Sequence, residues 1–232
     1  MGKYNYGSPV NIDNMPDEEK YAAMKKFAEG SPILEECLIT ANKLGFETTN
    51  CCRGYHEIEN TNKFLSDYLF NKNLDYIALA RCFCPAYISF KKNSKVLNNL
   101  SSELINNPNI CISTDYDPTI YFYGSDCSQL MEMFLKDIKS GAKQNEDALV
   151  AKVEQPLSAD CYYESYEYGL KKSGFTKENM ECLKMIMGLN ACKRARLSTQ
   201  EDIHDFCMRH EINEAIENII LKELKIEIKY HR

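Results

Sequence analysis

Two adjacent thiols, a cation, a glycine and an imidazole lie close together between residues 51 and 56, where the sequence reads Cys-Cys-Arg-Gly-Tyr-His. A thiol beside positive charge gains thiolate character and becomes a nucleophile, so Cys52 and His56 are candidate catalytic residues. Backbone N–H groups of a turn and an arginine guanidinium can also bind a phosphate. The ligand contacts predicted around this turn are Thr49, Cys51, Arg53 and Gly54.

A second pair of thiols gives the same residues another chemistry. Cys82 and Cys84 are separated by one residue, and Cys52 and His56 by three. Three thiolates and an imidazole would complete a tetrahedral zinc shell, so zinc is a candidate cofactor. The alternative is that Cys82 and Cys84 pack against the core and bind nothing.

The elements that must position these residues can be read from hydrophobic spacing and from turn residues. Strands are predicted over 46–50, 86–90, 110–114 and 119–123. Helices are predicted over 17–30, 32–44, 60–74, 94–106 and 130–138, the last capped by Asp126. If the 60–74 helix is set aside, the predicted elements from residue 46 to residue 138 follow the order strand, strand, helix, and this order occurs twice. This order predicts an α+β fold, a mixed or antiparallel sheet of about four strands with helices packed on it, in the pattern of a ββα duplication.

The C-terminal third has helical spacing, with N-caps at Ser158, Thr176 and Ser198 and a short edge strand over 225–230. The predicted organisation is an N-terminal arm over 1–16, an α+β domain over 17–141, a linker over 142–157 and a helical subdomain over 158–232.

The net charge and the number of cysteines limit the kinds of function that this protein can have. The formal net charge is −6, which argues against broad, non-specific binding to a polyanion. Eleven cysteines without an apolar leader or an 18-residue apolar run indicate reduced thiols in a cytoplasmic protein with no membrane segment. The basic residues concentrated at Lys193, Arg194 and Arg196 could contact nucleic acid or an acidic partner, or could be a solvated loop near a helix end.

The run from Gly45 to Gly54, followed by the 86–90 strand, resembles a pattern in small bacterial and phage proteins of unknown function. It is also distantly similar to the wybutosine-synthesising methyltransferase family that acts on transfer RNA. The positions that match that family are Thr48, Thr49, Cys52 and Gly54. This resemblance covers about the first 140 residues and implies an RNA or S-adenosylmethionine site, although no glycine-rich loop for the methyl donor is visible.

Two functions from different classes follow. The first is a cytosolic bacterial or phage protein that binds a nucleotide or RNA segment at the Cys51–His56 turn, with a role in modifying that ligand. The alternative is a protein–protein interaction module without chemistry, such as a phage-encoded inhibitor of a bacterial defence complex, CRISPR or other. An acidic surface suits that alternative because it can mimic nucleic acid toward a basic partner.

Overall fold

A single four-stranded antiparallel sheet lies at the centre of the fold. The computed structural model describes residues 16–58, 60–71, 76–141, 149, 152–153 and 155–226. The strands, in the spatial order β1-β2-β4-β3, are β1 Thr48–Cys52, β2 Ala86–Phe90, β3 Ile110–Ser113 and β4 Thr119–Phe122. The two antiparallel pairs, β1 with β2 and β3 with β4, therefore lie side by side, with the second strand of each pair at the middle of the sheet. The predicted α+β class and the four-stranded sheet are confirmed.

Helices account for most of the remaining described residues. They are α1 Asp17–Phe27, α2 Pro32–Lys43, α3 Thr61–Asn71, α4 Tyr76–Phe83, α5 Ser102–Ile105, α6 Cys127–Ser140, α7 Ala159–Lys172, α8 Lys177–Met180, α9 Lys184–Arg194, α10 Gln200–Arg209 and α11 Glu214–Glu223. Two 3₁₀ turns, Val96–Asn99 and Glu181–Leu183, precede α5 and α9. In the described part of the chain, no helix combines the length and apolar character that crossing a bilayer needs.

Side-chain caps fix several helix starts. Ser31, Ser158 and Thr176 each accept a bond from the backbone N–H three residues on, as their sequence context predicts. The cap predicted at Ser198 is wrong by one residue. Thr199 occupies it, accepting from the N–H of Asp202 at 3.1 Å, and this register buries Ile203, Phe206 and Cys207. Asp126 precedes α6 but makes no side-chain cap bond.

Two predicted elements differ from the structure, and one helix of the structure was not predicted. The first strand runs over 48–52 instead of 46–50, because pairing with β2 extends through Cys52↔Tyr87. The helix predicted over 94–106 divides into a 3₁₀ turn and α5. The Ser101 hydroxyl accepts a hydrogen bond from the N–H of Leu104 and so caps a separate helix that begins at Ser102. Helix α4 was not predicted at all. The predicted arm up to residue 15, most of the linker, and the tail from 227 lie outside the described residues.

Two hydrophobic cores lie on opposite sides of the sheet. The first fills the space between the sheet and the helices α1, α2 and α6, with Ile88, Ile120 and Phe122 at its centre. The second joins α3 and α4 to the C-terminal helices and includes Phe83 and Tyr166, whose rings stack at 4.6 Å. The described helices from α7 onward therefore share a core with α4.

Helix α7 packs closely against the end of α4 at Gly169. A Cβ atom at Gly169 would overlap the carbonyl oxygen of Cys82 and lie 2.8 Å from the Tyr55 ring. Backbone cannot move aside as a flexible side chain can, so only glycine fits.

We expect Gly169→Ala to lower the free energy of unfolding by about 3 kcal/mol, because overpacking against backbone forces the two helices apart. The matched control is Gly188→Ala in α9, where the new Cβ would meet only the tips of Ile220 and Ile212 at 3.0 and 3.1 Å. Urea unfolding of both variants measures the difference. Equal losses would contradict the role given to the α4–α7 contact.

Candidate functional site

The pleat of β1 sends the two adjacent cysteines to opposite faces of the sheet. Cys51 points into the first core, where its thiol donates to the carbonyl of Phe27 at 3.6 Å. Burial raises the pKa of Cys51 to about 12, so this thiol is inert at neutral pH. Cys52 lies on the other face, because successive side chains of a strand alternate.

A tight left-handed turn follows Cys52. Gly54 has φ +79° and Tyr55 has φ +49°, the region that L-residues seldom adopt. The turn lies directly on the segment before β2, since the N–H of Tyr55 donates to the carbonyl of Cys84 at 2.8 Å. A Cβ at Gly54 would overlap the backbone of Ala86, which leaves room for glycine alone.

The Tyr55 side chain anchors this turn to both layers of the protein. Its hydroxyl accepts from the N–H of Gly124, just after β4, at 2.7 Å, and makes a short hydrogen bond to the Ser165 hydroxyl of α7. The residue is only 1% exposed. These bonds offset the unfavourable backbone conformation and fix the residues on either side of it.

His56 is held by its backbone, and its ring meets the Cys52 sulfur. Its N–H donates to the carbonyl of Arg81 at 3.2 Å and its carbonyl accepts from the Ser173 hydroxyl at 2.9 Å. The ring Nε2 lies 3.0 Å from the Sγ of Cys52 and 3.6 Å from an Oε of Glu29. The side chain is 11% exposed, so the imidazole reaches solvent only at its edge.

The electrostatics of the site favour a thiolate at Cys52. Interaction with the nearby Cys84 thiol, which itself donates to the Pro85 carbonyl at 3.5 Å, makes the largest contribution and holds the pKa of Cys52 well below its ordinary value, against the opposing effect of burial. His56 and the N–H of Gly54, 3.4 Å from the sulfur, add to this effect. The pKa of Cys84 is raised by the same interaction, so one proton remains on Cys84 while Cys52 ionises.

Glu29 completes the site, and sequence spacing did not predict it. Its carboxylate, the Cys52 sulfur and the His56 ring offer ligand atoms that all lie within 4.8 Å of one another. We call Glu29, Cys52, His56 and the adjoining Cys84 the Cys52 cluster. Glu29 follows α1 directly and has φ +50°, so a helix end carries it to the turn after β1. No sequence signal links segments 23 residues apart.

The structure brings some predicted site residues to the cluster and leaves others elsewhere. Cys82 is fully buried and accepts a hydrogen bond from the Ser173 hydroxyl at 3.2 Å, outside the group that converges on His56. Thr49 bonds to Asp117 at 2.9 Å, about 10 Å along β1 from Cys52. Arg53 stays at the cluster, its guanidinium 3.8 Å from the Glu29 carboxylate.

The predicted basic contacts lie at the C-terminal end of α9. Arg194 donates to the Tyr123 hydroxyl at 3.2 Å and lies over the Tyr162 ring, and its charge also acts on Cys84. All three residues are exposed, and Arg196 lies just beyond the end of α9 with φ +58°. Of the three, Arg194 is thus the one that acts on the cluster.

A scan against protein-family models found no match, and searches of curated proteins and of solved structures found none. The resemblance to phage proteins and to the transfer-RNA methyltransferase family stays a prediction, as do the predicted RNA ligand and the anti-defence role. The functional argument therefore rests on the geometry of the cluster.

That geometry distinguishes two kinds of chemistry. In a nucleophilic triad the carboxylate holds the ring nitrogen that faces away from the nucleophile. Here the Glu29 carboxylate and the Cys52 sulfur approach the same nitrogen, Nε2. Sulfur, nitrogen and oxygen atoms that lie this close together are the donor types that can share one metal ion.

We expect Cys52 to be the first thiol alkylated in chelator-treated protein at pH 6, about tenfold faster than the exposed Cys182, because its lowered pKa leaves it ionised there. Iodoacetamide labelling followed by peptide mass spectrometry measures the rates. His56→Gln should slow the reaction of Cys52, whereas His204→Gln, which alters an exposed histidine paired with Glu217, should not. Faster labelling of Cys51 than of Cys52 would contradict the assignment.

Proposed function

We propose that this protein binds a divalent transition metal ion of the zinc class through Glu29, Cys52 and His56. The observation that supports this is the convergence of three different ligand atoms within 4.8 Å. Thiolate and imidazole donors favour zinc over magnesium or calcium, which prefer oxygen alone.

The separations between ligand atoms suit this ion. Tetrahedral zinc with ordinary bond lengths places sulfur about 3.6 Å from nitrogen and nitrogen about 3.4 Å from oxygen. The corresponding distances are 3.0 Å between Cys52 and His56 and 3.6 Å between His56 and Glu29. Binding would have to widen the Cys52–His56 separation by about half an ångström, a shift of a half-buried and a buried side chain, whereas the separation between His56 and the exposed Glu29 is within about 0.2 Å of the required value.

Cys84 determines which kind of metal centre this is. Its thiol lowers the pKa of the Cys52 sulfur but donates to the Pro85 carbonyl at 3.5 Å, and it is outside the group of converging atoms. In this arrangement three protein ligands hold the ion, Cys84 tunes the Cys52 sulfur as an outer partner, and the fourth position is open to water or substrate. An open position is typical of a metal that acts as a Lewis acid.

Binding of a phosphate-bearing ligand, such as the predicted nucleotide or RNA segment, would then require the bound metal ion. The Glu29 carboxylate and the Cys52 thiolate repel phosphate when no cation lies between them. A bound divalent ion cancels these two charges, and the guanidinium groups of Arg53 and Arg194 then give the surroundings a positive balance. Phosphate binding without metal would not fit this proposal.

We expect purified protein loaded with zinc and then desalted to retain about one ion per chain, measured by elemental mass spectrometry. Cys52→Ser and His56→Gln should each weaken zinc at least tenfold in a competition titration with a chromophoric chelator, because a ligand is lost. Cys182→Ser, on an exposed thiol, is the matched control and should bind as the parent does. Folded parent protein that binds no zinc, or unchanged affinity in both variants, would contradict the metal site.

The backbone of Glu29 provides a second test, because stability and metal binding should change in opposite directions. We expect Glu29→Asn to raise the free energy of unfolding of metal-free protein by about 0.5 kcal/mol, since asparagine tolerates the left-handed region better. The same change should weaken zinc binding at least tenfold. Arg196→Asn, at φ +58° after α9, is the control and should give the stability gain with zinc binding intact. Loss of zinc in the control, or none in Glu29→Asn, would contradict the role of the carboxylate.

A further inference from the structure

The face of the sheet that carries Cys52 has a row of half-buried side chains that crosses all four strands. Its members, one from each strand and paired in the antiparallel register, are Cys52, Tyr87, Tyr121 and Cys111. Directly opposed residues of antiparallel strands project to the same face, and successive residues of one strand alternate. Ile88, the neighbour of Tyr87, is fully buried in the first core. The two tyrosines therefore project from the other face, beside Cys52.

The two tyrosines form an aromatic surface at the centre of this face. Their ring centroids lie 5.6 Å apart, and neither hydroxyl has a hydrogen-bond partner among the described residues. Two positions along the same strands, Ser89 and Thr119 are small and bond to each other at 2.8 Å, so no long side chain of the sheet covers the rings from that side. Tyr87 belongs to neither hydrophobic core, and Tyr121 borders the second.

Guanidinium groups border this surface on two sides. The Tyr121 ring lies 6.4 Å from the ring of Tyr123, whose hydroxyl accepts from Arg194 at 3.2 Å. Burial is the main cause that raises the pKa of Tyr121, and the charge of Arg194 opposes it while the Asp115 carboxylate adds to it. Arg53, exposed in the turn after β1, lies at the β1 end of the row. The two guanidinium charges outweigh the single charge of Asp115.

Aromatic rings beside guanidinium groups suit a flat ligand that carries negative charge. Nucleobases stack on tyrosine rings, and guanidinium groups bind phosphate through two parallel N–H donors. A four-stranded sheet with aromatic side chains on one face can stack unpaired bases on that face. A saturated apolar ligand would gain nothing from the guanidinium groups, and inorganic phosphate would gain nothing from the rings. A nucleobase attached to phosphate uses both.

We propose that Tyr87 and Tyr121 bind a nucleobase by stacking, and that the phosphate attached to this base points toward the Cys52 cluster. Cys52 lies directly opposite Tyr87 across β1 and β2, so a base on the Tyr87 ring lies next to the cluster. Stacking needs no metal ion, and only the position of the phosphate rests on the proposed function. A free nucleotide and a single-stranded RNA share this chemistry.

Saturation-transfer NMR with adenosine, adenosine monophosphate and ribose phosphate tests the two parts separately. In metal-free protein we expect both adenosine compounds to bind in the millimolar range or tighter, with the strongest saturation at the base protons, and ribose phosphate not to bind. With zinc bound, adenosine monophosphate should bind at least tenfold tighter. No saturation of base protons at about 5 mM ligand would overturn the proposal. Base binding that zinc leaves unchanged would overturn the phosphate position, and a protein that binds adenosine but no zinc would contradict the metal site alone.

A single-stranded RNA of about six nucleotides distinguishes the two sources of the base. Affinity at least tenfold higher than that of adenosine monophosphate would assign the surface to an RNA strand, because further bases and phosphates then add contacts. Equal affinity would assign it to a free nucleotide. RNA binding that persists after loss of the Tyr87 ring would overturn the proposal.

Substitution of Tyr87 locates the base. Tyr87→Leu keeps an apolar side chain but removes the ring, and we expect it to weaken adenosine monophosphate at least fivefold in metal-free protein. Tyr87→Phe keeps the ring and should bind as the parent does. Tyr116→Leu, on a tyrosine that is 87% exposed in the turn between β3 and β4, is the matched control and should also bind as the parent does. Equal affinity in the Leu and Phe variants at residue 87, with melting temperatures that show both to be folded, would overturn the proposal.

Discussion

The close approach of Gly54 to the backbone of Pro85 and Ala86 is the constraint on which the candidate site depends. Any side chain at residue 54 would overlap this backbone, and its φ of +79° suits glycine best. Because the chain after β1 can lie this close to the chain entering β2, Cys52 and Cys84 become neighbours although 31 residues separate them. The interaction between these two thiols then lowers the pKa of Cys52 and raises that of Cys84.

The turn that begins at Gly54 also joins the two hydrophobic cores. Tyr55 bonds to the end of β4 and to α7, while the backbone of His56 bonds to α4 and to Ser173 just after α7. Gly169 permits α7 to approach α4 closely enough for these bonds to form. The C-terminal helices are therefore part of the support of the site, so their packing affects the positions of the imidazole and the sulfur.

Local signals in the sequence predicted much of this fold. Strand alternation, helical spacing and caps such as Ser31 and Ser158 depend on residues within one turn of each other, and these elements agree with the structure. Features that depend on contacts between residues distant in sequence could not be predicted. The end of β1 is set by pairing with β2, α4 by its packing on α7, and Glu29 reaches the cluster only because α1 ends beside that strand. Cys82 and Cys84 look alike in sequence, but the end of α4 falls between them, so they face different surroundings.

The strained backbone conformations near the Cys52 cluster occur at a proposed metal ligand and directly before another. Glu29 and Tyr55 both occupy the left-handed region, and each lies beside a glycine that also does so. Asparagine or glycine would relieve the cost at Glu29, yet only an acidic side chain supplies a carboxylate 3.6 Å from the imidazole. At Tyr55 two hydrogen bonds offset the strain, whereas the exposed Glu29 has only weak ion pairs with Arg53 and His56. A cation bound between Glu29, Cys52 and His56 would offset that remaining cost, because each of the three would then gain a strong electrostatic partner.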